Sequence, residues 1–104
     1  MEKATPTIMN IGTTFAGKVT RALYMRIPTL ISEKYEIKRH DSIVVRIIRH
    51  LDWELKEMPL DEQKTFVALV GFRNTFTIPK AVRTKHNIDL GDSLTVEIVG
   101  KVIV

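Results

Sequence analysis

The sequence predicts a mostly β protein with two short helices, made of two copies of one β-α-β unit within a single compact domain. The first observation behind this is internal repetition. An offset of 51 residues places Pro28 on Pro79, Ile27 on Ile78, Lys34 on Lys85, Ile37 on Ile88, Asp41 on Asp92, Ser42 on Ser93, Val45 on Val96 and Ile47 on Ile98. Met25 with Phe76, Ile31 with Val82 and Ile43 with Leu94 keep their apolar character at the same offset. The second observation is alternation of polar and apolar residues on both sides of each proline, the period of a half-buried strand. The third is length: a unit of about fifty residues buries too little surface to be robust alone, and two units that share a core remove that difficulty.

The second copy carries the clearest pattern. Thr75-Phe76-Thr77-Ile78 alternates as a strand, and Pro79 stops it and suits a helix start. Lys80 to His86 can make two helical turns, Asn87 tolerates the left-handed geometry that ends a helix, and Leu90-Gly91-Asp92-Ser93 is turn chemistry. Leu94 to Ile98 alternates again, and a turn at Gly100 leads into Val102-Ile103-Val104.

In the first copy, Met1 to Thr7 reads as a loose end, and Ile8 to Phe15 as a strand or extended arm. Ala16 to Arg21 reads as a turn around Gly17. Leu23, Met25 and Ile27 alternate with an outward Arg26, and Pro28 to Tyr35 forms the helix, with Leu30 and Ile31 inward. Ile43, Val45 and Ile47 share one strand face, and His50-Leu51-Asp52 turns into a strand from Trp53 to Met58. Leu60 to Lys64 is a short acidic linker, and Phe66 to Val70 opens the second copy. The expected core is Met25, Ile27, Ile31, Ile37, Val45, Ile47, Phe76, Ile78, Val82, Ile88, Val96 and Ile98.

The stretch TIPKAVRTKHNIDLGDSLTVEI, with RNTFTIP leading into it, resembles the AbrB/MazE/SpoVT swapped-hairpin DNA-binding domain, especially its short archaeal members. The shared pattern is a strand ending in Ile-Pro, a Lys after the Pro, an Arg three further on, a short helix and a Gly-Asp turn into a final hairpin. The resemblance is strong over residues 66–104 and weaker over 15–58, which sets a degenerate first repeat at 1–60 and a second at 61–104. It implies a swapped-hairpin (double-split) barrel, with one chain supplying both halves of an intramolecular pseudo-dimer, and it implies binding to double-stranded DNA. The first copy departs from the pattern: Glu36 stands where the family usually has Gly, His40 opposite Gly91, and Ser32 opposite Arg83. Its helix is therefore expected to end differently, because Glu is uncomfortable in left-handed geometry.

Charge supports an anionic partner. The formal net charge is +4 and the isoelectric point is near 9.6. There is no Asp or Glu between Lys3 and Ser32, nor between Gln63 and Ile88, so the hairpin of each repeat is acid-free. The resemblance carries Lys80 and Arg83 over as DNA contacts by position. Arg73 and Asn74 match an Arg-Asn pair set one residue closer to the proline, Thr75 is beside them, and Lys18, Arg21 and Arg26 supply charge from the first hairpin.

The sequence has no cysteine, which excludes disulfides, thiolate metal sites and a Cys nucleophile. His40, His50 and His86 lack metal-ligand spacing, and no serine stands at a recognised spacing from a histidine. Trp53 lies among acids, which favours a packing role over base stacking. No apolar run is long enough to span a bilayer. The expectation is a cytoplasmic, nucleoid-associated transcriptional regulator with no cofactor and no enzymatic activity, in which further homodimerisation is open. Two other readings stay open: an antitoxin-like protein-interaction module, and a chromatin-like protein that coats DNA without sequence preference.

Overall fold

The computed structural model describes residues 7–103. The chain runs β1 (Thr7–Lys18), a 3-10 turn (Arg21–Leu23), β2 (Tyr24–Arg26), α1 (Thr29–Lys34), β3 (Ser42–Leu51) and β4 (Glu57–Met58). It continues as β5 (Thr65–Leu69), a short turn (Phe72–Asn74), β6 (Thr75–Thr77), α2 (Lys80–His86) and β7 (Ser93–Ile103). Most of the loose end expected at the N-terminus lies outside the described residues, and Thr7 already belongs to β1.

All pairings are antiparallel. β1, β7 and β3 lie side by side, and β5 and β4 share the far edge of β3. β2 and β6 form a separate two-stranded sheet. Among the described residues no strand pairing joins β1 to β4 or β5, and a single bridge from Val70 to Phe76 links the large sheet to the ribbon. The β1–β7, β3–β5, β3–β7 and β2–β6 pairings each join a residue before Pro59 to one after it.

The backbone hydrogen bonds recur at the sequence offset. Ile27 N–H donates to Asn74 O at 2.7 Å, and Ile78 N–H to Leu23 O at 3.2 Å. Val19 N–H donates to Asp92 O, and Val70 N–H to Asp41 O, both at 2.8 Å. The self-matched pairs, Met25 with Phe76 and Arg46 with Glu97, are direct cross-strand neighbours. Met25 and Phe76 are both buried, and Arg46 is ion-paired to Glu97.

Positive φ angles recur as well. Leu23 and Asn74 have φ of 62° and 58°, Glu36 and Asn87 of 51° and 53°, His40 and Gly91 of 78° and 89°. The first helix therefore ends as the second does, with Ile37 N–H bonded to Ser32 O and Ile88 N–H to Arg83 O. The expectation that Glu36 forces a different ending is corrected. The bond from Ile37 N–H to Ser32 O and the burial of Ile37 fix the backbone, and Glu36 accepts the left-handed strain.

Of the expected core, Ile31 and Val82 pack only at its margin, whereas the other members are buried together with Phe15, Val19, Ile43, Phe66, Ala68, Val70 and Leu94. Leu30, expected inward, is 80% exposed, because so short a helix turns a single narrow stripe to the sheet. Three expected local breaks also differ. Gly17 lies within β1, and Gly100 within β7. The strand expected from Trp53 is reduced to Glu57–Met58, because the Asp52 carboxylate folds the preceding residues into a turn by accepting from the N–H groups of Glu54 and Lys56. Gly100 serves close approach instead of a turn: a Cβ there would overlap Ile8 Cγ2 and sit 2.7 Å from Met9 O. The opposing β1 is bulged between Asn10 and Thr13, where Gly12 has φ +70°.

Gly100→Val is expected to lower stability by about 1–3 kcal/mol through overpacking against β1. Glu36→Asn and His40→Gly, which remove left-handed strain, are expected to raise it by roughly 0.5–1 kcal/mol each. Urea midpoints of the three variants check both signs.

Candidate nucleic-acid interface

The outer face of the β2–β6 ribbon is built by alternation. Met25 and Phe76 point into the core, which leaves Tyr24 and Arg26 outward on one strand and Thr75 and Thr77 on the other. The register sets Arg26 opposite Thr75 and Tyr24 opposite Thr77. A short turn enters each strand and a proline leaves it, so the ribbon is flanked by Arg21 and by Arg73.

The sequence-predicted site residues divide by what their side chains touch. Lys18 at the end of β1, Arg21, Arg26, Arg73 and Lys80 at the start of α2 are exposed. None of them, nor Arg83, has a carboxylate partner among the described residues. Arg46, Arg49, Lys85 and Lys101 each do. Arg83 is half-buried, and its Nε donates to Ile78 O at 2.9 Å, which fastens the helix to the strand before it.

Asn74 is also half-buried, and its side-chain amide oxygen lies 3.0 Å from Ser32 Oγ. Ser32 Oγ is 2.8 Å from Ile37 O as well. A hydroxyl has one proton to give, so turning the amide to present its NH₂ satisfies both neighbours. Thr75 Oγ donates to Phe72 O at 2.7 Å and locks the turn. Asn74 and Thr75 thus hold the hairpin in shape, and the exposed cations carry the charge.

The comparisons give a shared fold and no assigned activity. No family model matches the chain, and no curated protein matches it. The solution structure of PHS018 from Pyrococcus horikoshii is similar, with 25% identity and a TM-score of 0.68 over 89% of this chain and 95% of that one.

Sequence reasoning missed three residues on this face. Tyr24 and Phe72 are exposed, and the Arg39 guanidinium lies 3.4 Å from the Phe72 ring centroid. The available signal was Phe72 itself, an aromatic residue between Gly71 and Arg73 where the first repeat has Arg21. Trp53 is 71% exposed, which corrects the packing role expected for it. It sits in the Asp52–Lys56 turn, away from the ribbon in sequence.

The histidines are separate from one another. His86 is buried and ties the linker to α2, with Asp61 N–H donating to its Nε2 and its Nδ1 3.1 Å from Val82 O. Buried His50 Nε2 lies 2.7 Å from Asp92 Oδ2, the counterpart of the half-exposed Lys101–Asp41 pair. Among the described residues no three His, Asp or Glu converge as metal ligands, and no helix is long and apolar enough to cross a membrane.

Ser32→Ala is expected to lower stability by about 1–2 kcal/mol, since it strips a buried hydroxyl from two neighbours, and Arg83→Ala by about 1 kcal/mol. Urea unfolding of both variants measures this structural share apart from any effect on binding.

Proposed function

We propose that this protein binds duplex DNA through the β2–β6 ribbon and its flanking turns and acts as a transcriptional regulator at the nucleoid. In this reading the two halves are an intramolecular swapped-hairpin pair of the AbrB type, and the protein catalyses no reaction. One observation carries the proposal. The pairing of β2 with β6 sets the two acid-free stretches side by side, and Arg21, Arg26, Arg73 and Lys80 are exposed there without carboxylate partners among the described residues.

On the large sheet, by contrast, Arg46, Arg49 and Lys101 face acids. On the ribbon, phosphates would take those partnerships and release counterions. A two-stranded ribbon is also narrow enough for the major groove of B-DNA, where an Arg can bond a guanine edge with two donors. The swapped-hairpin part of the reading is supported by strands that pair across the halves: β1 with β7, β3 with β5 and β2 with β6. Lys18 and Arg83 add charge beside the ribbon, whereas Asn74 and Thr75 act by holding its turn.

Fluorescence-anisotropy titration of random and genomic duplexes over a salt series tests the proposal. A log–log slope of roughly −3 to −6 is expected, and Arg26→Ala and Arg73→Ala should each make it shallower by about one. Selection of one sequence over random duplex by more than about a thousandfold supports a regulator, and uniform affinity supports a coating protein. No binding at low salt overturns the reading and turns the search to protein partners.

A further inference from the structure

The two hairpins share equivalent backbone bonds but differ in chemistry at three outward positions. Where the first presents Lys18, Arg21 and Arg26, the second presents Leu69, Phe72 and Thr77 at the 51-residue offset. Leu69 and Phe72 are exposed, so this replacement is not a matter of core packing. Tyr24, Leu69, Gly71, Phe72, Thr75 and Thr77 line a groove of about 430 Å³. That volume falls within the roughly 300–1,000 Å³ of small-ligand sites.

Arg39 covers one face of the Phe72 ring at 3.4 Å, and the residue remains 67% exposed. A flat aromatic surface is thereby held by a cation, remains largely exposed, and lines the groove. Thr75, whose hydroxyl donates to Phe72 O, and Thr77 are among the lining residues. Arg26 and Tyr24 lie directly across the ribbon from these threonines. An occupant must therefore be flat and apolar on its faces, polar at its edge, and attached to negative charge. An unstacked nucleobase with its phosphates meets all of these requirements. A second copy of the chain would bring a like-charged face against the same cations.

We propose that this groove holds an unstacked base of a single-stranded nucleic acid. The base stacks on Phe72 and Tyr24, Arg39 backs the Phe72 ring, and the cations of the first hairpin neutralise the adjoining phosphates. Stacking of this kind tolerates any base, because every base offers a π face. The proposal rests on the duplex reading only in taking this acid-free face as the one that meets nucleic acid. It adds that the two hairpins divide the work, with the first taking phosphate and the second taking base.

The test is anisotropy of fluorescein-labelled dT and dA 12-mers and of a labelled duplex, with the parent, Phe72→Ala and Phe72→Trp. Phe72 is exposed, so neither change touches the core. Phe72→Ala is expected to weaken single-strand binding by about 5- to 100-fold, well beyond any loss of duplex affinity, while Phe72→Trp keeps single-strand affinity. Unchanged single-strand affinity in Phe72→Ala, with duplex binding intact, overturns this proposal and leaves the duplex reading standing. Single-strand binding that depends on Phe72, with no duplex binding in the parent, overturns the duplex reading and keeps this one. Failure of the parent to bind either form overturns both. Parent-like strand binding by Phe72→Ala, together with loss of self-association in light scattering, overturns the proposal and assigns the groove to a second copy.

Discussion

The structure depends on a reciprocal exchange at the β2–β6 ribbon. Each hairpin ends in a left-handed residue, Leu23 or Asn74, whose carbonyl accepts from the isoleucine N–H of the other half. Strands of three residues have little stability of their own, and here each completes the edge of the other. Met25 and Phe76 meet beneath them, and full burial of each contributes about 1.5–3 kcal/mol. Pro28 and Pro79 then leave the ribbon with no N–H to offer and start the helices at matching places. The longer pairings of β1 with β7 and β3 with β5 extend the same exchange outward. The core lies between parts of the chain that cannot cover themselves.

Electrostatics follows the same geometry with different outcomes at its two ends. On the large sheet, opposite charges meet across strands, as Arg46 does with Glu97 and Lys101 with Asp41. His50 stands at the position of Lys101 in the other half, fully buried against Asp92. A lysine ammonium would be costly to bury so deeply, whereas an imidazole fits the interior and still donates to the carboxylate. On the hairpins, no acid answers Arg21, Arg26 or Arg73 among the described residues. Arg46, Arg49 and Lys101 of the large sheet are neutralised by acids, and the cations of the ribbon have no carboxylate partner among the described residues.

Much of this was legible in the sequence, because the repeat is written in its core. Ile27 with Ile78, Val45 with Val96 and Ile47 with Ile98 are identical, and burial keeps such positions apolar. α2 was legible from Pro79 to Asn87, since a proline and a left-handed asparagine bound it. Three things were not. Gly17 and Gly100 read as turns, yet their role is set by what passes beside them in space, and a linear pattern carries no such information. Glu36 hides its left-handed geometry behind a residue type that rarely adopts it, and His40 stands where the second repeat has a glycine. At the candidate site the basic residues announced themselves by charge. Phe72 did not, because an aromatic residue in a sequence is read first as core, and only its 67% exposure under Arg39 shows otherwise.

The pairing of Arg21 with Phe72 as equivalent positions has a consequence for what one gene can encode. In a dimer of identical chains joined by a two-fold axis, every residue is written once and displayed twice, so both halves of a binding face must say the same thing. Here the two halves are spelled separately while the backbone bonds that relate them persist. A substitution on one hairpin leaves the other unaltered, and a surface that symmetry would have forced to read alike in both directions gains a direction. A nucleic acid of the kind proposed would then meet two different ends of one chain, with no second kind of subunit required.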